Sequence, residues 1–339
     1  DRSSAASDVY KRQVLPNTVL DENSIISLLN LYDISDSDEE PEYYEFDTQM
    51  SDEEILKKWE RKFMKLLRYG KIGSEKPGVL GNDGEIRDLS GLITDIDASV
   101  LSDQALQKLR DADLSKLPVV SGNPRIGACV GNIGKMICIG LNYSDHAAET
   151  GATPPPEPII FMKVNSAICG PNDHVRIPKT SEKTDWEVEL GFVIGKKAKY
   201  VSEAEAMDHV AGYCIVNDVS ERSFQAERSG QWTKGKSCDT FGPTGPWMVT
   251  RDEISDPQNL KMTLDVNGKR YQDGSTKTMI FGVKFLIHYL SQFFTLHPGD
   301  VISTGTPPGV GLGVKPNPVF LKPGDELSLI HISEPTRPY

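Results

Sequence analysis

Short apolar runs of four to nine residues recur along the second half of this chain, at Trp186–Ile194, Gly212–Asp218, Trp247–Thr250, Met262–Val266 and Val301–Thr304. Their lengths and their Val, Ile, Tyr and Trp content are those of β-strands. Gly and Pro clusters punctuate them at Gly242-Pro243-Thr244-Gly245-Pro246 and Thr304-Gly305-Thr306-Pro307-Pro308-Gly309. Helical patterning in this half is confined to Ser202–Val210 and a longer stretch at Gly282–Phe294. A doubly wound parallel sheet needs a helix in most of its crossovers, so this pattern argues against one. It predicts an α+β chain, mainly β, built as a mixed β-sandwich or rolled-up barrel. No internal repeat is visible.

Residues 64–130 read as a small α/β domain. Strand-like pieces lie at 64–69 and 77–81, a Gly-Asn-Asp-Gly turn at 81–84 and a helix near 102–110, followed by a Pro- and Gly-rich linker from Pro118 to Arg125. Residues 131–327 then form the catalytic domain. Upstream, residues 14–63 are acidic and expected to be largely disordered, apart from a short helix at 51–63. There Ser51 and Glu54 make a capping box, and Ile55, Leu56, Trp59 and Phe63 share one face. Met64 is a candidate start of the enzyme, with everything before it upstream read-through. Residues 1–13 and 328–339 resemble translated library-adapter sequence. On that reading the native chain is cut near Leu327, and any closing strand after Gly324-Asp325-Glu326-Leu327 is missing.

Charge is placed unevenly. Residues 21–60 hold 14 Asp or Glu against two Lys, which accounts for the whole formal charge of −12; the remaining 35 acids and 35 bases cancel. A neutral body offers no electrostatic case for nucleic-acid binding, and the acidic stretch is either a solvated, flexible region or a partner-binding tail. Nothing approaches the ~18 consecutive apolar residues of a membrane span. The first residues lack the apolar core of a secretory signal, so the expected compartment is cytoplasmic. Cys129, Cys138, Cys169, Cys214 and Cys238 form no CxxC pair and are odd in number, which fits reduced core thiols better than a disulfide framework or a zinc site.

The chemistry centres on Asp185-Trp186-Glu187-Val188-Glu189-Leu190-Gly191. Strand alternation puts Glu187 and Glu189 on one face and Trp186, Val188 and Leu190 on the other. Two carboxylates side by side in an apolar strand repel each other and are costly to bury unless a cation compensates. Asp218 ends the run Ala211–Asn217; alone it reads as a turn cap, but beside a Glu-x-Glu strand it is a credible third ligand. Three oxygens with no nearby Cys or His suit Mg²⁺ or Mn²⁺, with Ca²⁺ as a further option, and not zinc. His146 and Glu149 follow a strand that ends at Gly140. At i, i+3 they share a helical face, and a carboxylate-supported imidazole can activate water. Arg222 and Gln225 lie on a helix turn leading away from Asp218, and Lys236 lies in a Gly-flanked loop. Beside a metal, Arg and Lys suit a carboxylate substrate and a developing enolate, although each alone reads as a surface charge. Thr306 occupies a Gly-rich turn that lacks the Lys-Ser/Thr ending of a phosphate loop.

The ordered set of GLNYSDHAAETG, FMKVNSAICGP, DWEVELGFVIG, VNDVSERSFQ, WTKGKSCDTFGPTGPW, VNG and GDVISTGTPPGVG resembles the fumarylacetoacetate hydrolase family over residues 64 to 327, most strongly from 138 onward. The resemblance implies a mixed β-sandwich roll after a small N-terminal domain, and a homodimer. It implies Glu187, Glu189 and Asp218 as metal ligands, and His146 with Glu149 as the water-activating pair. It also implies Arg222, Gln225, Lys236 and Thr306 as groups that bind substrate and stabilise a carbanion or enolate, with Lys163 near the pocket. Larger fumarylacetoacetases add an aspartate ligand before the histidine; Ile139-Gly140-Leu141-Asn142 offers none here. Shorter members of the family act on small 2-oxo acids. The wording is most similar to 2,4-diketo-3-deoxy-L-fuconate hydrolases, sequences also labelled ureidoglycolate lyase. The implied activity is C–C bond hydrolysis of a 2,4-dioxo acid, with decarboxylation, isomerisation, hydration or ureidoglycolate lyase-type chemistry as the alternatives on the same site.

Overall fold

The computed structural model describes residues 64–151 and 153–332. The adapter-like segment 1–13, the acidic stretch, the helix expected at 51–63 and residues 333–339 lie outside the described residues.

Strands β1 (Lys65–Tyr69), β2 (Lys76–Leu80) and β3 (Ile86–Asp88) pair antiparallel in sequence, with the 81–84 turn joining the last two. Helix α1 (Asp103–Arg110) follows. Its Ser102 hydroxyl accepts the Ala105 N–H at 3.2 Å, and Leu106 and Leu109 turn inward. Next come β4 (Met136–Gly140), α2 (Ser144–Thr150), β5 (Ile159–Lys163), and the short β6 (Ile168–Cys169) and β7 (Thr184–Asp185). The centre of the chain supplies β8 (Val188–Ile194), β9 (Val210–Asn217), β10 (Ser220–Glu221), α3 (Arg222–Ala226), α4 (Thr233–Lys236) and β11 (Gly242–Thr250). A hairpin of β12 (Lys261–Val266) and β13 (Lys269–Ser275) leads to α5 (Val283–Phe293), β14 (Val301–Ser303) and β15 (Leu327–Ile332). The hairpin turn is Asn267-Gly268, both at positive φ (52° and 75°), the conformation a two-residue turn needs and that Asn-Gly adopts most readily.

The large sheet runs β3-β2-β1-β11-β9-β8-β14-β4-β5, with β6 beside β11. It is mixed: β14 runs parallel to β4 and β6 to β11, whereas the other pairs are antiparallel. Because β1 is hydrogen-bonded to β11, the strands of residues 64–130 continue this sheet. A second sheet, β13-β12-β15, supplies Met262 and Leu264 to a core shared with Val188, Leu190 and Phe192 of β8 and Leu286 and Leu290 of α5. The opposite face of β8 and β9 joins a second core, through Val193, Cys214 and Val216, with Leu106 and Leu109 of α1. Strand β8 is therefore buried on both faces. Each fully buried Leu, Ile or Phe contributes about 1.5–3 kcal/mol, so β8 is a rigid platform. The five cysteines are free, and three of them are buried.

Four local expectations change. The helix at Ser202–Val210 shrinks to a 3₁₀ turn, Ala206–His209. Val210 already opens β9, and the His209 carbonyl accepts from Gly195, so sheet pairing leaves too few residues to nucleate an α-helix. Strand β11 runs through Pro243 and Pro246: Pro243 precedes the first pair with β9, Thr244 with Val216, and Pro246 falls where the register shifts between Gly245 and Val249 and the ladder is interrupted. Lys236 lies in helix α4 and not in a loop. Finally, Leu327 and the first five residues of the adapter-like tail form a strand, Leu327–Ile332, that pairs antiparallel with β12 over its whole length. No helix among the described residues is long and apolar enough to cross a membrane.

Candidate metal centre

Alternation through β8 and the residues before it sends Trp186, Val188 and Leu190 into the core and brings Glu187 and Glu189 to a cavity on the other face. Asp218 follows the last residue of β9, and its N–H donates to the Glu187 carbonyl at 3.0 Å. Glu187, Glu189 and Asp218 are 5%, 2% and 0% exposed, and one oxygen of each lies within 4.8 Å of the others.

Buried carboxylates this close need cations. Lys236 Nζ lies 2.7 Å from Glu187 Oε2 and 2.8 Å from Asp218 Oδ2. Arg222 Nη1 lies 2.7 Å from Glu187 Oε1, and Lys163 Nζ lies 2.6 Å from Asp218 Oδ1. Burial pushes the Glu187 carboxyl up, but the adjacent Lys236 and Arg222 charges outweigh it and hold the group down at about 2. Burial acts against the Lys236 and Arg222 charges too, and is outweighed by Asp218 and Glu187 in one case and by Asp185 and Glu187 in the other, so both are raised above their ordinary values. Glu189 moves the other way. Burial, then the negative charges of Asp218 and Glu187, drive its carboxyl well above the usual range. Its Oε2 accepts from Ser303 Oγ at 2.5 Å and Gly305 N at 2.9 Å, and among the described residues no Lys or Arg forms an ion pair with it. A divalent cation would supply the charge that Glu189 lacks. The all-oxygen donor set fits a hard ion.

Eight of the ten predicted residues line the same cavity: His146, Glu187, Glu189, Asp218, Arg222, Gln225, Lys236 and Thr306. His146, at the cavity from α2, has Nδ1 3.0 Å from Glu149 Oε2. Glu149 stands behind it, with Oε1 accepting the Gly309 N–H at 2.9 Å. Gly309 is required there: its φ is +103°, and a Cβ would lie 2.0 Å from the Tyr271 carbonyl oxygen. Lys163 does not reach the cavity. It is 1% exposed, and its ammonium is held by Asp218, the Val219 carbonyl at 3.0 Å and the Lys236 carbonyl at 2.5 Å. Arg222 Nη1 donates to Gln225 Oε1 at 3.2 Å, which fixes the Gln225 amide at the wall. Thr306 gives its hydroxyl proton to the Val188 carbonyl at 2.9 Å.

Other contributors are absent from the predicted set. Asp185 is fully buried and grips Arg222, with Nε at 2.8 Å and Nη2 at 2.7 Å. It has the same strand parity as Glu187 and Glu189, a signal present in the sequence. Ile139, Leu141, Phe161 and Trp232 form an apolar part of the wall, with Phe161 and Trp232 edge to face at 5.3 Å. Asn142 is no ligand: its side-chain amide is committed to Phe281 and Thr304.

The profile of the Fumarylacetoacetate (FAA) hydrolase C-terminal family matches residues 135–333. A protein of Burkholderia lata that carries a provisional hydrolase name is 64% identical over 266 residues, covering 78% of this chain and 94% of its own length. Among solved structures, the fumarylacetoacetate hydrolase of psychrophilic Exiguobacterium antarcticum is 35% identical, with a TM-score of 0.68 over 79% of this chain and 95% of that one. The 5-carboxymethyl-2-hydroxymuconate delta-isomerase of Mycobacterium smegmatis is 31% identical, with a TM-score of 0.60 over 79% of this chain and 94% of that one.

Proposed function

The chain belongs to the fumarylacetoacetate hydrolase family, and from that premise we propose that it is a metal-dependent hydrolase cleaving a C–C bond in a 2,4-dioxo acid of the acylpyruvate or diketo-deoxy-sugar-acid type. One observation carries the reading: three buried carboxylates, two buried cations and a carboxylate-backed histidine converge on a single cavity.

Glu187, Glu189 and Asp218 would hold the ion, Mg²⁺ or Mn²⁺ with Ca²⁺ as a further option. When bound, the ion supplies Lewis acidity toward the oxo-acid head of the substrate. Arg222 and Gln225 bind the substrate carboxylate. His146 donates Nδ1–H to Glu149, so the ring takes the proton of a water at Nε2. The water oxygen bonds to the distal carbonyl carbon, the adjacent C–C bond breaks, and its electron pair leaves with the oxo-acid fragment as an enolate. Lys236 stabilises that enolate, and a proton returned to carbon completes the reaction. In this reading Lys163 and Thr306 act on substrate only through the groups they hold. The reading also takes residues 64–130 as a small N-terminal domain, 131–327 as the catalytic domain and the enzyme as a cytoplasmic homodimer.

An isomerase or decarboxylase using the same groups is the second reading, favoured by the isomerase among the similar structures. A panel of acylpyruvates and sugar-derived diketo acids, incubated with Mg²⁺ or Mn²⁺ in ¹⁸O-labelled water, separates them. Hydrolysis places label in the new carboxylate. Turnover without label would overturn hydrolysis in favour of the second reading.

A further inference from the structure

Val188 stands between the two glutamates, and nothing in the β-ladder holds it on one side. Strand β14 pairs with β8 from Val193 to Gly191, and the last main-chain bond from that side is the Thr304 N–H to the Leu190 carbonyl at 3.1 Å. The backbone groups of β8 beyond that point face Gly305, Thr306 and the second sheet. An unpaired buried N–H or C=O is costly, so each must find a partner.

Side chains take over where the strand stops. The Leu190 carbonyl accepts from Thr304 Oγ1 at 2.8 Å. The Val188 carbonyl accepts from Thr306 Oγ1 at 2.9 Å, and the Val188 N–H donates to Gln272 Oε1 at 2.9 Å. Gln272 Nε2 donates to Thr306 Oγ1 at 2.8 Å, and also to the Pro307 carbonyl at 2.8 Å. Val188, Gln272 and Thr306 form a closed circuit: Val188 N–H to Gln272, Gln272 to Thr306, Thr306 to the Val188 carbonyl. Every donor in it has one assigned acceptor, so the circuit sets both amide orientation and hydroxyl rotamer. Gln272 is 0% exposed and comes from β13, an element that contributes nothing to the cavity wall.

We propose that Gln272 is a positioning residue of the metal centre, closing with Thr306 a ring of hydrogen bonds around Val188 that holds Glu187 and Glu189 facing the cavity. The inference rests on the reading of Glu187, Glu189 and Asp218 as metal ligands. The β8–β9 pairing alone leaves the peptide planes at 187–189 held from one side. The ring holds them from the other. Opening it lets Val188 rotate toward another partner and splays two carboxylates that must converge on one ion.

The test is Mn²⁺ binding to the purified full chain, followed by the electron-spin resonance of the free ion. Supporting groups behind metal ligands change affinity by about 10- to 100-fold, so Gln272→Met and Thr306→Val should each weaken Mn²⁺ binding by about tenfold or more. Because either change opens the same ring, the double variant should be no weaker than the worse single one. Met262→Ala, in the core on the neighbouring strand, should lower the melting temperature and leave Mn²⁺ affinity unchanged. Wild-type affinity in Gln272→Met, or additive losses in the double variant, overturns the proposal. So does affinity that merely follows melting temperature across all variants. If Gln272→Met does not fold, Thr306→Val alone reads the ring by the same criterion. Glu187→Gln separates the two levels of inference: should it bind Mn²⁺ as the wild type does, the metal-centre reading falls, whatever Gln272 does.

Discussion

Asp185 shows how much one buried carboxylate can organise. Its Oδ2 accepts from Arg222 and from the Leu312 N–H at 3.0 Å, and its Oδ1 accepts from the Gly311 N–H at 2.6 Å and the Trp186 N–H at 2.8 Å. One side chain thus fixes the cation that flanks Glu187 and the loop that follows Gly309. Asp185→Asn keeps the shape and removes the charge. Arg222 is then left with a single anionic partner in a buried site, and one amide hydrogen is forced against N–H donors. Removing one member of a buried pair costs about 3–5 kcal/mol, so urea unfolding should show a loss of that order at unchanged m-value. A loss below about 1 kcal/mol would mean that water reaches Arg222 and screens it.

At the scale of elements, the site depends on how α2 is latched. This seven-residue helix carries both His146 and Glu149, and Glu149 ties it to Gly309. Gly313 lies against the same carboxylate: a Cβ there would sit 2.7 Å from the Glu149 carboxyl carbon and 2.8–2.9 Å from its oxygens. Gly313→Ala therefore pushes Glu149 away from its partners with no backbone strain at residue 313. A displacement near 1 Å can cost about 100-fold in rate, so turnover should fall by about tenfold or more while the melting temperature stays close to wild type. Unchanged turnover would show that α2 takes its working position independently of this loop. These contacts also explain what could be read beforehand. Glu187 and Glu189 were legible because strand alternation is local, as was the i, i+3 pairing of His146 with Glu149. The pairing of Lys236 with Glu187 was not, because the two lie 49 residues apart. The commitment of Thr306 to Gln272, 34 residues earlier, leaves no periodic trace in either segment.

Among the described residues, the large mixed sheet and the β13-β12-β15 sheet, with β8 clamped between two cores, agree with the short strands and scarce helices of the sequence, which argue against a doubly wound sheet. What patterning could not supply was pairing order: β11 passing through two prolines, and Leu327–Ile332 completing the second sheet beside β12. Leu286 tests the inter-sheet packing directly. It is 0% exposed on α5, and Leu286→Ala should destabilise by about 2–5 kcal/mol in urea unfolding. The clamped core also means that the site's charge imbalance is borne by the fold as a whole. Glu189 sits in a rigid interior with neighbouring negative charge, and an ion that binds only the folded chain relieves this. Binding at 100 times the dissociation constant stabilises by about 2.7 kcal/mol. At about 2–4 °C per kcal/mol for a domain of a few hundred residues, Mn²⁺ should raise the melting temperature by about 5–10 °C over a chelated sample. The increment should grow with the logarithm of ion concentration and vanish in Glu187→Gln. Equal melting temperatures with Mn²⁺ and with chelator would mean that Lys163, Lys236 and Arg222 already balance the three carboxylates, and that no ion belongs there.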